Sequence, residues 1–250
     1  MRRLYLISAV LLLNCLHSMA TGNYAAQWQK GTTFYQQMQY DSAAYYFQQI
    51  AAVKPQNAEV YYNLGNAYYR LNKIAPAVLN YQRALHLNPD YKEAKDNLAL
   101  TESRISNHIQ PAGDIFFIDW WNNITRADKT SQWSVTALVI FILIILVMMA
   151  RRFTKPGNSI PVQLPGVLGF VCLCFLILAF VSAKNAQQSI QAVVMQNDAP
   201  LMNSEQKGKP LSLVPEGTTV KILGEKTGWV EVALPDGRSG WIQQNLIDKI

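Results

Sequence analysis

The 250-residue chain has few charged side chains and very few cysteines. Charged residues make up 15% of the sequence and apolar residues 50%, whereas soluble domains usually carry about 25% charged residues. This deficit indicates membrane segments. It also excludes disorder over most of the chain, which requires low hydrophobicity and high net charge. The three cysteines, Cys15, Cys172 and Cys174, all lie in apolar runs, so the more polar portions contain no disulfide framework or zinc site.

Clustered positive charge is also scarce, although the net charge is +6. Five of these charges come from Arg2-Arg3 and the basic residues of the segment 151–155. Residues 21–132 hold ten basic against nine acidic residues, and residues 166–250 hold seven of each. A nucleic-acid-binding face needs clustered Lys and Arg that displace counterions. We therefore expect no nucleic-acid partner.

Catalytic motifs are missing as well. The three histidines, His17, His86 and His108, have no recognisable cysteine or carboxylate motif beside them. The sequence contains no P-loop, GxSxG, HExxH or GxGxxG pattern. Because no nucleophile, base or metal site can be assembled, we expect a non-enzymatic protein with no catalytic residues, cofactor or metal.

Residues 1–20 have the organisation of a secretory signal peptide. Arg2-Arg3 precede the apolar run Leu4–Leu13, and Ser18-Met19-Ala20 provides small residues at a cleavage site after Ala20. The alternative is lipid attachment at Cys15. Since Asn14 is a poor residue before a lipidated cysteine, we favour cleavage.

Two long uncharged runs follow, Thr130–Ala150 and Pro156–Ala183. A helix of about 20 residues crosses the hydrocarbon layer of a membrane. We predict transmembrane helices at 133–150 and 164–183, in preference to buried core helices, because such runs seldom occur in soluble folds. Trp133 lies where an interfacial anchor is expected.

The connection 151–163 carries Arg151, Arg152 and Lys155 without an acidic residue. The positive-inside rule places this loop in the cytoplasm. Both flanks then lie outside the inner membrane, in the periplasm of a Gram-negative cell, which agrees with an exported N-terminus.

The sequence repeats itself after 34 residues before the first span. Gly31 aligns with Gly65, Phe47 with Tyr81, and Pro55 with Pro89. This period and pattern resemble the tetratricopeptide repeat, with copies at about 24–57 and 58–91 and a capping helix at 91–106, all within a domain at 21–109. Small residues such as Gly65 and Ala77 are expected where paired helices approach closely. Solenoids usually need at least three repeats, so either a flanking segment packs against this one or the chain associates with itself or a partner.

The resemblance implies a concave, peptide-binding face on the first helices of the repeats. Carried onto this sequence, its positions are Trp28, Thr32, Tyr35, Tyr62, Asn66, Tyr69 and Arg70. Aromatic side chains mark binding hot spots, but they also fill helical cores, so packing between repeats is an equal alternative. Trp28 and Thr32 do not match the family's carboxylate clamp, and that chaperone-binding ligand is not inferred.

The linker 110–132 is rich in aromatic residues, namely Phe116, Phe117, Trp120 and Trp121. We favour a helix lying on the outer leaflet of the membrane. The alternative is a docking surface for another membrane protein.

Residues 187–250 change to a period of two. Val220 and Ile222 alternate with polar neighbours, as do Val230, Val232 and Leu234, which predicts half-buried strands. Pro235-Asp236-Gly237 predicts a hairpin turn.

The pairs Gly228-Trp229 and Gly240-Trp241 resemble a bacterial SH3-type barrel. Such domains bind cell-wall peptide or glycan, or mediate assembly. Trp229 and Trp241 would then form a stacking platform for a sugar or peptide. We favour the alternative that they close the ends of the barrel, because tryptophan is usually largely buried.

These features predict a multidomain membrane protein with an all-α tetratricopeptide-repeat solenoid, two transmembrane helices and a small C-terminal all-β SH3-like barrel. This order resembles the BatE family of bacterial aerotolerance operons. The resemblance implies a membrane complex with von Willebrand A-type Bat proteins and a MoxR-type AAA ATPase, acting in aerotolerance or envelope stress. The alternative function is an envelope-binding module whose barrel attaches to peptidoglycan.

Overall fold

The computed structural model describes residues 24–110, 116–126, 129–153, 161, 163–188, 190–203 and 209–250. The predicted signal peptide, including Cys15, lies outside the described residues, as does Lys155 in the basic connection. The chain divides into two compact units. One combines the residues up to Gln110 with Gln191–Ile250, and the other is Pro111–Ile190.

Five helices form the N-terminal part of the first unit within residues 24–110. They are α1 (described at 24–36), α2 (Tyr40–Val53), α3 (Ala58–Arg70), α4 (Ile74–Leu87) and α5 (Lys92–Glu102). The short connections let successive helices pack against each other. Asn57 caps α3, because its side-chain oxygen accepts hydrogen bonds from the backbone N–H groups of Glu59 and Val60. This region has the tetratricopeptide-like helical repeats that the 34-residue period predicts.

The repeated glycines lie where the helices of each pair meet. A Cβ atom on Gly65 would be 2.8 Å from the Tyr81 ring, and one on Gly31 would be 2.9 Å from the Phe47 ring. Tyr81 and Phe47 are almost completely buried. The absence of a side chain at both glycines therefore lets an aromatic ring fill the space between paired helices.

The fifth helix is shorter than the capping helix expected at 91–106. After Glu102 the α-helix gives way to tighter turns, because the N–H groups of Arg104 and Ile105 bond to carbonyls three residues back. Asn107 then takes a positive φ of 57°, which turns the chain away from the helix direction. Ile105, which lies just before Asn107, is buried.

Seven short strands build the described C-terminal part of the first unit. They are β1 (Gln191–Val194), β2 (Ala199–Leu201), β3 (Ser212–Val214), β4 (Thr219–Lys226), β5 (Trp229–Ala233), β6 (Ser239–Gln243) and β7 (Ile247–Lys249). An antiparallel sheet has the order β6-β5-β4-β1-β7, and β2 pairs with β3. Gly237 has a φ of 89° in the turn between β5 and β6, as the Pro-Asp-Gly signal predicts. The C-terminal region is therefore all-β and antiparallel.

The β region packs directly against the helical repeats. Val193 of β1 lies in one buried cluster with Ile74 and Val78 of α4 and with Ile105. A side chain on Gly217 would touch Ile105 within 3.0 Å. Of the two ways to complete a short solenoid that the sequence left open, the structure provides packing by a flanking segment.

Two polar contacts hold the same interface. The Gln82 Nε2 atom of α4 donates to Thr219 Oγ1 at 3.4 Å, and Arg83 Nη2 donates to the Lys249 carbonyl at 2.8 Å. These contacts join residues more than 130 positions apart, which no local sequence pattern could reveal.

The second unit contains α6 (Phe116–Ile124), α7 (Thr130–Phe153) and α8 (Leu164–Gln188). Helices α7 and α8 pack against each other, and the Cys172 thiol donates to the Ala137 carbonyl at 3.5 Å. Most of their large apolar side chains remain exposed. By length and composition, Thr130–Phe153 and Leu164–Asn185 are each able to cross a membrane.

Candidate functional site

The predicted groove positions separate into two groups. Trp28 belongs to the packing between α1 and α2, because its ring meets the Phe47 ring edge-on at 5.6 Å. Thr32 donates its hydroxyl hydrogen bond to the Trp28 carbonyl at 3.0 Å. Both side chains are half-buried, and these contacts are local to the first repeat.

The other group centres on the Asn66 side chain. Its oxygen accepts hydrogen bonds from the Tyr81 hydroxyl at 2.7 Å and from Asn97 Nδ2 at 2.8 Å. Asn97 Nδ2 also lies 3.3 Å from the Tyr62 hydroxyl. This network links α3, α4 and α5 and fixes the orientation of the Asn66 amide.

Tyrosine rings surround this network. The Tyr62 ring lies 4.9 Å from the Tyr91 ring and 6.2 Å from the Tyr81 ring. Burial raises the pKa of Tyr35, and the nearby Arg70 guanidinium partly opposes that rise. Burial also raises the pKa of Tyr81 well above its ordinary value, and neighbouring tyrosines add to it. The Tyr35 and Tyr81 hydroxyls are therefore protonated hydrogen-bonding groups at neutral pH.

Two arginines lie at one end of the tyrosine cluster. Arg70 Nη2 donates to the Tyr40 hydroxyl at 2.6 Å, and the Arg104 guanidinium lies 4.2 Å from the centre of the Tyr69 ring. Neither arginine has a carboxylate partner within the described part of the chain. Their charge is thus available to an anionic group.

Acidic residues act at the opposite end of the cluster. Burial raises the pKa of Tyr91, and the negative charges of Glu59 and Glu93 raise it further. The face therefore carries positive charge near Arg70 and Arg104 and negative charge near Tyr91. This asymmetry can orient a bound peptide.

Three contributors were missed at the sequence level. Arg104 stands 34 residues after Arg70, so the repeat itself could have identified it. The repeat identifies Tyr81 only as the counterpart of Phe47, whereas in the structure its hydroxyl reaches the groove network. Asn97 matches no repeat position of the predicted groove, and only the packing of α5 onto α3 brings it to Asn66.

Trp229 and Trp241 lie on the outer face of the barrel sheet. Trp229 pairs with Gln243 and Trp241 with Glu231 across β5 and β6, so both rings point away from the core residues Val230, Val232 and Ile242. Both tryptophans are partly exposed. Lys226 Nζ lies 5.2 Å from the Trp241 ring, which gives this face aromatic and charged groups together.

A separate cleft of about 590 Å³ lies between the helical repeats and β7. Tyr61, Tyr68 and Arg83 line one side, and Asp248 and Lys249 line the other. Its volume falls in the range of small-molecule sites. No sequence pattern indicates this cleft, because it exists only through the docking of the barrel.

Two family models match parts of the chain. A tetratricopeptide repeat model matches residues 58–91, and a bacterial SH3 domain model matches residues 203–248. The chain therefore contains a tetratricopeptide repeat and a bacterial SH3 domain. No curated protein sequence matches the chain significantly.

Solved structures of tetratricopeptide domains are similar to parts of this chain. The first such domain of Spaghetti (RPAP3), bound to an HSP90 peptide, is 26% identical with a TM-score of 0.32, covering 33% of this chain and 65% of that one. The second domain of human RPAP3, in complex with an HSP70 peptide, is 14% identical with a TM-score of 0.33, covering 67% and 98%. The Arabidopsis OM64 domain is 12% identical with a TM-score of 0.32, covering 67% and 97%. This chain spans just under two thirds of the first of these domains.

Proposed function

We propose that this protein is a non-enzymatic scaffold of the bacterial inner membrane that holds an extended segment of a partner protein. The observation that carries this proposal is the tyrosine-lined network around Asn66, beside which Arg70 and Arg104 have no carboxylate partner among the described residues. Tetratricopeptide domains mediate protein–protein interaction, and the concave face is the natural place for the partner.

The chemistry of this face suits a peptide. Tyrosines supply large contact areas at low entropic cost, and the amides of Asn66 and Asn97 can exchange hydrogen bonds with a peptide backbone. Charge-assisted hydrogen bonds from arginine are stronger than neutral ones. A partner segment with an acidic residue at the Arg70 and Arg104 end satisfies these groups together.

Two independent arguments support the proposed membrane topology. The basic connection between α7 and α8 favours a cytoplasmic loop. The helical repeats and the barrel pack together in one unit, although the apolar helices lie between them in the chain. Two crossings return the chain to the side it left, so the proposed α7–α8 hairpin places both domains in the periplasm.

The order of domains supports a more specific role in a Bat-type complex. The partners would then be von Willebrand A-type Bat proteins and a MoxR-type AAA ATPase, and the process would be aerotolerance or resistance to envelope stress. The groove presents the binding chemistry, and the hairpin holds it at the membrane.

Photo-crosslinking in living cells tests the scaffold. A photoreactive residue at Tyr69 should yield an adduct with another inner-membrane protein, whereas one at Tyr45 should not, because Tyr45 is 57% exposed on α2 and outside the groove. Tyr69→Ala with Arg70→Ala should also release the partner from the purified complex. Retention of the same partner by this variant would show that the groove does not hold it.

The alternative function is attachment to the cell envelope through the barrel. It is favoured by the position of Trp229 and Trp241, whose partly exposed rings share one outer face with Glu231. Bacterial SH3 domains often bind cell-wall material, and aromatic rings provide stacking surfaces for sugars and peptides.

Co-sedimentation of the full chain with purified peptidoglycan tests this alternative. Trp229→Ala with Trp241→Ala should abolish sedimentation, and the matched pair Trp120→Ala with Trp121→Ala, outside the barrel, should not. Absence of sedimentation with the unaltered protein would reject the envelope-binding module.

A further inference from the structure

An apolar stripe runs along α6 beside the paired long helices. Phe117, Trp120, Trp121 and Ile124 follow the spacing i, i+3, i+4 and i+7, which places them on one face of the helix. The exposed fractions of Phe117, Trp120 and Trp121 are 63%, 47% and 39%. The rings of Phe117 and Trp120 lie 5.5 Å apart. Three large aromatic residues thus form an exposed patch that the other described residues cover only in part.

A hydrogen-bonded clamp fixes the C-terminal end of this helix. The Asn185 Nδ2 atom of α8 donates to the Thr125 carbonyl at 3.0 Å and lies 3.2 Å from its hydroxyl. The Trp133 Nε1 atom of α7 donates to the Ile124 carbonyl at 2.9 Å. Thr125 is fully buried, and its hydroxyl donates to the Trp121 carbonyl. The clamp therefore ties α6 to both long helices at the same end of the hairpin.

The clamp determines what can cover the aromatic patch. It holds the patch beside the apolar surfaces of α7 and α8, whose large side chains mostly remain exposed. Tryptophan prefers the boundary between headgroups and acyl chains, where its ring is shielded and its N–H meets polar groups. A helix with one apolar face lies in this boundary, in the plane of the membrane.

We propose that α6 lies in the membrane interface on the side of the helical repeats, with Phe117, Trp120 and Trp121 among the lipids. Thr125, Asn185 and Trp133 are positioning residues that hold the helix at this depth. The proposal rests on insertion of the α7–α8 hairpin, and it assigns the patch to lipid rather than to a partner protein.

Quenching by brominated lipid tests the location of the patch. The full chain is reconstituted into phosphatidylcholine vesicles that carry bromine on the acyl chains next to the headgroups. We expect the lipid-quenchable tryptophan emission to fall by roughly half in Trp120→Phe with Trp121→Phe, because interfacial tryptophans are those that lipid quenchers reach. The matched variant Trp229→Phe should leave that emission unchanged.

The possible outcomes distinguish failure of the lipid assignment from failure of hairpin insertion. Unchanged quenching in the double variant, with Trp133 still quenched, would overturn the lipid assignment and leave the hairpin inserted. No quenching of any tryptophan in the unaltered protein would overturn hairpin insertion as well.

A second measurement tests the clamp. Asn185→Ala should change the quenching depth of Trp120 and Trp121, measured as the ratio between lipids brominated near the headgroup and lipids brominated deeper in the chain. Asn123→Ala is the matched control, because Asn123 is exposed on α6 and contributes no bond to the clamp. An identical depth ratio in the protein and in Asn185→Ala would reject the positioning role.

Discussion

At the residue scale, Gly65 is the position where a single added carbon has the clearest cost. Alanine favours a helix by about 1 kcal/mol over glycine, but its Cβ would stand 2.8 Å from two carbons of the buried Tyr81 ring. Overpacking a well-filled core costs about 1–3 kcal/mol. We therefore expect Gly65→Ala to lower the unfolding temperature of the helical repeats, as measured by circular dichroism.

The matched control is Gly166→Ala on α8. A Cβ atom at Gly166 meets no atom within 4 Å, so only the gain in helix propensity remains there. Equal unfolding temperatures for the unaltered protein and Gly65→Ala would contradict the close approach of the helices.

Tyr81 should also make stability depend on pH in the alkaline range. Burial raises the pKa of Tyr81 in the folded protein above its unfolded value of about 10. Above that pH the unfolded chain releases this proton and the folded chain keeps it. The stabilisation is complete below about pH 10 and is lost as the pH rises through the folded pKa, with a slope of at most about 1.4 kcal/mol per pH unit.

Tyr81→Phe removes this dependence and the hydrogen bond to Asn66, which contributes about 1 kcal/mol. Urea unfolding at pH 8 should therefore show a less stable variant. Between pH 10 and 11, the difference between the two proteins should become smaller. A difference that stays constant over this range would show that Tyr81 does not titrate differently in the two states.

The residues of the candidate site were predictable only in part. Tyr62 and Asn66 follow from the repeat pattern, because their positions on α3 depend on local helical spacing. The partners of Asn66 do not, since Asn97 reaches it only when α5 packs against α3. Local spacing predicts which face of its helix a residue occupies. Its hydrogen-bond partners on other helices depend instead on tertiary packing.

At the element scale, α4 and β1 depend on each other. Val193 of β1 is fully buried in the cluster that contains Ile74 and Val78 of α4. Val193→Ala removes apolar volume from that cluster, and each buried methylene removed lowers the free energy of unfolding by about 0.8 kcal/mol. Amide hydrogen exchange should therefore become faster in α4 as well as in the barrel.

Val230→Ala is the matched control for this prediction. Val230 is equally buried, but it lies in the core of the barrel alone. It should accelerate exchange in β4 to β6 and leave α4 unchanged. Equal effects of the two variants on α4 would mean that the barrel does not support the helical repeats through β1.

The elements themselves follow from the sequence more closely than their arrangement does. Periods of 34 and of two residues predict the helical repeats and the antiparallel strands, because each depends on nearby side chains. The contact between Arg83 and Lys249, and the cleft beside it, depend on two segments that lie on opposite flanks of the apolar helices. No periodicity links such segments.

At the scale of the whole molecule, the packing of the barrel against the repeats requires both to lie on the same side of the membrane that the proposed hairpin crosses. Single cysteines at Tyr45 and Asp236, in a protein whose native cysteines are replaced by alanine, should react with a membrane-impermeant maleimide in cells whose outer membrane has been opened. A cysteine at Phe153, which is 82% exposed beside the basic connection, should react only after the inner membrane is lysed.

The pattern of labelling tests the two arguments for this topology separately. One argument is the packing of the barrel against the repeats, and the other is the positive charge of the connection between α7 and α8. Reaction at Tyr45 but not at Asp236 before lysis would put the domains on opposite sides, which is incompatible with their shared cluster around Val193. Reaction at Phe153 alone would invert the hairpin and contradict the positive-inside rule while leaving that cluster intact. Only protection of Phe153 together with reaction at both other sites satisfies the charge distribution and the packing at once, because each constraint fixes a different part of the chain.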